Sequence, residues 1–302
     1  MKKALVTGAT GFLGRNALIQ LQQSGYCCAT INFPNHRITN LDGVPSISWI
    51  EREKQISDFQ PDICIHAAGS GSVQRSFQNP LGDFHSNVVL VYEVLDSLKN
   101  AAPNCKFIHL SSAAVYGNPS CLPIAEDSLL QPISPYGFHK SQAEIICRQF
   151  SALYGMTAYA VRIFSAYGPG LDKQVIWEMA HQVINRGEII LKGTGQETRD
   201  FVHVKDVVRC LVQLSEKGPE GFDVFNLASG EQTTLLQVAE LLFSLNGKKS
   251  SIRCQGNQCL GDPLHWRADI RKIRSFGYSP EVSLHEGISS VLNSLATITS
   301  ER

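Results

Sequence analysis

Apolar residues in the first half of the chain follow two alternating rhythms. Short continuous runs occur at Lys3–Thr7 (KALVT), Cys27–Asn32 (CCATIN), Asp62–Ala68 (DICIHAA), Lys106–Ser112 (KFIHLSS) and Thr157–Phe164 (TAYAVRIF). Their length predicts strands buried on both faces. Between them, FLGRNALIQLQQSG, DFHSNVVLVYEVLDSLKN and YGFHKSQAEIICRQFSALYG repeat apolar residues at helical spacing, and the first and third end at a glycine. Strand and helix alternating in this way predict an α/β fold, a parallel sheet with helices on both faces. Right-handed crossovers wind such a sheet in both directions and leave a ligand crevice beyond the carboxyl ends of its strands. After Phe164 the rhythm weakens. SAYGPG and LKGTGQETRD are turn-rich, and helical stretches such as KQVIWEMAHQVINRG and TLLQVAELLFSLNG are separated by irregular segments.

Composition adds little to this picture except by exclusion. The 302 residues are 43% hydrophobic and 18% charged, enough apolar material for a large core. Twenty-seven Lys and Arg balance 27 Asp and Glu, so no net field draws the chain to nucleic acid or to an anionic membrane. The apolar run after Lys2 and Lys3 breaks at once into glycines, unlike a signal peptide, and no long apolar span follows, so the expected location is cytoplasmic. The nine cysteines are odd in number, scattered and never spaced as C-x-x-C, which argues for reduced thiols and against a metal site.

The stretch TGATGFLGR changes the picture most. Gly8, Gly11 and Gly14 follow the first predicted strand and open the first helix, with Phe12, Leu13 and Arg15 completing the turn. Glycine lets backbone N–H groups approach a pyrophosphate and lets the helix pack closely on the strand, while the helix N-terminus favours the phosphate charge. This context predicts a dinucleotide-binding, Rossmann-type domain over residues 1–165, with parts of 200–228 returning to it. A smaller, partly interleaved substrate-binding region is expected over 166–302. Asn32 ends the second strand where an NAD site ordinarily carries a carboxylate for the ribose hydroxyls. With Arg15, His36 and Arg37 nearby, this favours NADP over NAD.

Tyr136 and Lys140 are four residues apart at a predicted helix start, behind Pro135, and so share a face. An ammonium and a nicotinamide cation together favour the phenolate, giving a proton shuttle. Ser112 ends the strand before, at the edge of the sheet where a hydroxyl can bond the reacting oxygen. The set resembles the nucleotide-sugar epimerase/dehydratase family of extended short-chain dehydrogenases/reductases. VTGATGFLG, HAAGS, HSNVV, SSAAVYG, SPYGFHKS, VRIFSAYGPG, GTGQETRDFVHVKDV and GDPLHWRADIRKIRSFGYSP carry that resemblance over nearly the whole length.

The resemblance implies Ser112, Tyr136 and Lys140 as catalytic residues. It implies Ala67, Ala68 and Gly69 against the cofactor, and Asn87, Ser165, Arg199, Cys259 and Asp262 among the substrate contacts. For Arg199 the residues alone allow a surface ion pair with Asp200 instead. Ala113 and Ala114 stand where dehydratases of the family carry acids, so dehydration by that route is disfavoured. Gly71, Ser165 and Cys259 also depart from the 4-epimerase pattern and leave the sugar open. Hydride transfer at C4 of a nucleotide sugar is expected, as a 4-epimerase or an NADPH-dependent 4-keto-6-deoxysugar reductase; a silent cofactor sensor is the third possibility. The resemblance also implies a homodimer formed by the second and third of these helices, to which Val88, Val91, Leu95, Ile145 and Phe150 would contribute unless they serve the intrachain core.

Overall fold

The computed structural model describes residues 1–33, 41, 43–257 and 260–300. Seven parallel strands form the central sheet. In chain order these are β1 (Lys3–Thr7), β2 (Cys27–Asn32), β3 (Ser46–Ser48), β4 (Ile63–His66), β5 (Lys106–Ser112) and β6 (Ala158–Ile163), followed by Phe222–Leu227. Across the sheet the order is Phe222–Leu227, β6, β5, β4, β1, β2, β3. Chain order reverses between β1 and β4, so the crevice of this sheet opens where those two strands end. The sheet is the doubly wound one expected. The short β3 and the strand Phe222–Leu227 went unread in the sequence.

Two apolar layers cover the sheet. Helix α1 (Phe12–Gln23) buries Gly14, Ala17, Leu18 and Leu21, an i, i+3, i+4, i+7 stripe, and packs on helix Val204–Lys217. The opposite face takes Ile56, Val91, Val94, Leu95, Leu98, Ala143, Cys147 and Phe150 from helices Arg52–Phe59, Leu90–Ala101 and Pro135–Tyr154. Val91, Leu95 and Phe150 therefore serve the intrachain core, and Val88 is also buried, while Ile145 is exposed. A third, separate cluster joins helices Val175–Arg186, Leu235–Asn246 and Leu284–Ser300 through Met179, Val183, Leu242 and Ile288.

The predicted helix over 83–100 is interrupted. An α-turn at Pro80–Phe84 passes into a π-helical turn at His85–Val89 before helix Leu90–Ala101 resumes. One extra residue in that turn carries Asn87 inward, where it is fully buried.

Candidate active site

The cofactor side of the site is made of backbone. Gly8 has φ +66°, and a Cβ there would lie 2.6 Å from the backbone of Ala67 and Ala68 as they leave β4. A Cβ on Gly14 would lie 2.2 Å from the Gly8 oxygen, so α1 approaches β1 only because that position is glycine. At Gly11 the nearest atom to such a Cβ is the Gly8 oxygen at 3.3 Å, which leaves the space in front of the helix open. The first turn of α1 carries no acidic residue, and Gly11 offers no side-chain cap. Its leading N–H groups thus face the crevice as an anion site of the kind a pyrophosphate needs. Among the described residues, Gly8, Gly11, Leu13, Asn32, Ala67, Ala68 and Gly69 line one cavity of about 1080 Å³. Phe12, Gly14 and Arg15 do not reach its wall, and Arg15 is exposed. Arg37 and Cys259 lie outside the described residues.

Ser112, Tyr136 and Lys140 come together at the middle of this cavity. Ser112 ends β5 and accepts the Ala114 N–H at 3.2 Å, which folds Ala113–Val115 into one tight turn. Helix Pro135–Tyr154 starts with Ser134 capping the Gly137 N–H at 3.1 Å and Pro135 in the first position. A Cβ on Gly137 would stand 2.6 Å from the Ala114 oxygen, so this glycine lets the helix press on the Ser112 turn. Ser112 and Tyr136 are brought to the same part of the cavity as a result, where the Ser112 hydroxyl acts on the phenol. Lys140 is buried one turn on; its Nζ donates to the Leu110 oxygen at 2.9 Å and lies 5.9 Å from the Tyr136 ring centroid. Ser112 and Tyr136 line the cavity and Lys140 stands behind them.

Burial dominates the electrostatics of the pair. Burial pushes the Tyr136 phenol up to about 12, against the lowering effect of Ser112, and pulls the Lys140 ammonium down to about 8. Without a bound cation the protein alone does not hold Tyr136 as a phenolate at neutral pH. Desolvation outweighs the lowering effect of the Ser112 hydroxyl.

The far wall comes from the second half of the chain. Ser165, Arg199 and Asp262 line the cavity with Lys173, Lys192 and Trp266. Arg199 is 9% exposed; its Nη1 donates to the Thr198 oxygen at 2.9 Å, and its guanidinium lies 5.7 Å from the centroid of the Trp266 ring. The ion pair with Asp200 is not formed. Asp200 turns the other way, accepting the backbone N–H groups of Ser229, Gly230 and Ala268. Asn87 is not on the wall. Its amide is pressed beneath Gly69, where a Cβ would come within 2.7 Å of Oδ1, and both amide atoms lack a hydrogen-bond partner. Lys173, Lys192 and Asp83 also went unread, because nothing in their local sequence separates them from solvated charges. Trp266 stood within a quoted motif, but its place on the wall depends on contacts with Gly117 and Arg199.

Known proteins are similar to this chain over nearly its whole length. The UDP-glucose 4-epimerase of Mycolicibacterium smegmatis is 28% identical over 96% of this chain and 97% of its own. The GDP-6-deoxy-D-mannose reductase of Pseudomonas aeruginosa is also 28% identical, over 97% and 96%. Among solved structures, the UDP-glucuronic acid 4-epimerase of Bacillus cereus, in complex with UDP-glucuronic acid and NAD, superposes with a TM-score of 0.87 at 27% identity, covering 98% of this chain and 99% of that one. No described helix is long and apolar enough to cross a membrane. A glycine cradle, a Ser–Tyr–Lys cluster and a family model matching residues 4–228 lead to one conclusion: the chain belongs to the NAD dependent epimerase/dehydratase family.

Proposed function

We propose that the protein is a nucleotide-sugar 4-epimerase, which withdraws and returns hydrogen at C4 of a nucleotide-diphosphate sugar with the help of a bound nicotinamide dinucleotide. The observation that carries this reading is the pairing of Ser112 and Tyr136 on one cavity wall, with Lys140 5.9 Å from the Tyr136 ring centroid behind them. The glycine cradle at Gly8, Gly11 and Gly14 fits the dinucleotide's pyrophosphate, and Ala67, Ala68 and Gly69 fit its nicotinamide half. When bound, the oxidised nicotinamide supplies a hydride acceptor and a positive charge. Tyr136 takes the proton of the sugar hydroxyl and later gives it back, and Ser112 bonds the same oxygen in both directions. Lys140, fixed by the Leu110 carbonyl, holds an ammonium beside the phenol. Ala113 and Ala114 have no proton to exchange, so water loss is not part of the cycle.

Arg199 is the proposed clamp on the substrate diphosphate, near Trp266, with Asp262 and Ser165 lining the same cavity. Residues 166–302, apart from Phe222–Leu227 and the segment leading to it, form the substrate-binding region in this reading. The cofactor we propose is NADP. Asn32 lines the cavity at the end of β2 and brings no carboxylate to repel a 2′-phosphate. Asn32→Asp is expected to turn preference toward NAD, and a protein that already binds NAD as tightly as NADP overturns this choice. A homodimer is supported by Tyr92, Phe138, Ile145, Leu153 and Tyr154, all exposed on the helix pair.

Incubation with a panel of UDP-, dTDP-, GDP- and CDP-sugars, including 4-keto-6-deoxy forms, tests the activity. C4 isomerisation without net cofactor consumption supports the epimerase. Stoichiometric deuterium transfer from 4-deuterated NADPH into a 4-keto sugar replaces it with the reductase reading, which the likeness to the Pseudomonas aeruginosa reductase keeps in view.

A further inference from the structure

Helix Pro135–Tyr154 turns two consecutive side chains to different neighbours. Lys140 reaches the end of β5, and His139 meets the helix Pro80–Phe84. On that helix Asp83 is 4% exposed, its Oδ2 lies 2.6 Å from His139 Nδ1, and its Oδ1 is buried with no hydrogen-bond partner. A buried carboxylate with one oxygen unsatisfied is a cost to the fold. Packing of the two helices does not require it, since Phe84 already sets its ring edge-on to His139 at 5.5 Å. The explanation lies in what surrounds it. Asp83 lines the same cavity as Ser112 and Tyr136.

The other groups around Lys140 carry no free negative charge. From β4 and β5 come His66 and His109, facing each other at 5.8 Å and both held neutral by burial, His66 at about 3. On its own helix, the buried Cys147 thiol is pushed up and stays protonated. Glu144 is bonded to Arg162 at 2.7 Å and to the Ser111 hydroxyl at 2.5 Å. Of the two carboxylates that act on Lys140, only Asp83 is not already matched by an arginine.

We propose that Asp83, held in place by His139, is the counter-charge of the Tyr136–Lys140 couple, a positioning residue that keeps Lys140 an ammonium and Tyr136 a phenol until the substrate is bound. This rests on the reading of Tyr136 and Lys140 as the proton-transfer pair. A negative charge near both groups favours the protonated form of each. Removing it makes both easier to deprotonate, so both limbs of the pH profile of kcat/KM, which reports the free enzyme, move to lower pH. A merely structural role lowers the profile without moving it.

The test is the pH dependence of kcat/KM in Asp83→Asn, with Asp83→Glu as the conservative variant. Both limbs are expected to move to lower pH in the first, by about a tenfold change in proton concentration, and to return in the second. Should Asp83→Asn fold poorly, Asp83→Leu combined with His139→Leu replaces the whole pair by apolar side chains and is expected to shift the profile in the same direction. Titration of Lys140 by its ¹³Cε chemical shift, assigned with Lys140→Met, reads the same effect without turnover. A lower midpoint in Asp83→Asn supports the proposal, and an unmoved midpoint overturns it. A lowered midpoint in a protein that turns over no nucleotide sugar upholds the counter-charge and overturns the functional reading alone.

Discussion

The two sides of the cavity are built by opposite means. On the cofactor side the essential feature is missing side chains: Gly8, Gly11 and Gly14 occupy one turn, and only the meeting with Ala67 and Ala68 is distant in sequence. On the substrate side the essential feature is side chains brought from far apart, with Arg199 near Trp266 and both lining the cavity with Ser165 and Asp262. The first is a local backbone solution to a ligand portion common to all dinucleotides. The second depends on how irregular segments fold back, which is where substrates of one family differ. Ser112 and Tyr136 stand at the seam and belong to both.

Breaking the seam is expected to have the largest effect. Tyr136→Phe should lower kcat by about 10²–10⁴-fold while leaving dinucleotide affinity unchanged, measured by turnover and by cofactor titration. If affinity falls as far as turnover does, Tyr136 belongs to the cradle and the contrast fails. On the substrate side, Arg199→Met should raise the KM for the nucleotide sugar by about 10–100-fold, the worth of a charge-assisted contact, with kcat and dinucleotide affinity little altered.

The cradle divides further. Gly11→Ala should weaken dinucleotide binding by about tenfold or more with a smaller loss of melting temperature than Gly14→Ala, because its Cβ would meet the Gly8 oxygen only at 3.3 Å, a contact relieved by a small shift. Gly14→Ala should instead destabilise the fold by about 1–3 kcal/mol, since its Cβ would meet the Gly8 oxygen at 2.2 Å. Equal behaviour of the two variants would show that the turn does not distinguish ligand from helix packing. The smallest effect concerns Lys140, whose ammonium is pulled down to about 8 by burial. The unfolded chain, with a lysine near about 10.4, holds that proton more tightly, so native stability should rise as pH climbs from about 8 toward that value. Lys140→Met should raise the melting temperature at pH 7 by about 2 °C and remove that rise.

Much of the architecture was legible because it is periodic. β1, β2 and β5 lie at the residues their apolar runs mark, and helix Pro135–Tyr154 begins at Pro135 and ends at Gly155. The interruption at His85–Val89 was not legible, since the apolar spacing around Asn87 looks the same whether that turn is α or π. The five residues expected at a subunit contact divide for a similar reason. Helical spacing marks an apolar stripe without saying which neighbour covers it, and Val91, Leu95 and Phe150 are covered by their own chain. Arg199 beside Asp200 reads as an ion pair, yet Arg199 ends a two-residue strand, Asp200 follows it, and the two side chains bond different segments.

By itself the sequence determined what is local: a parallel α/β sheet, a glycine turn open to a phosphate, and a phenol and an amine on one helix face. Each follows from backbone geometry within a few residues, so neighbours in the chain suffice. Tertiary structure alone decided that Gly137 presses the Tyr136 helix onto the Ser112 turn, that Trp266 comes near Arg199, and that the buried Asp83 lines the same cavity as Tyr136. Those contacts join segments separated by tens of residues, and burial there, more than residue type, sets which groups carry charge.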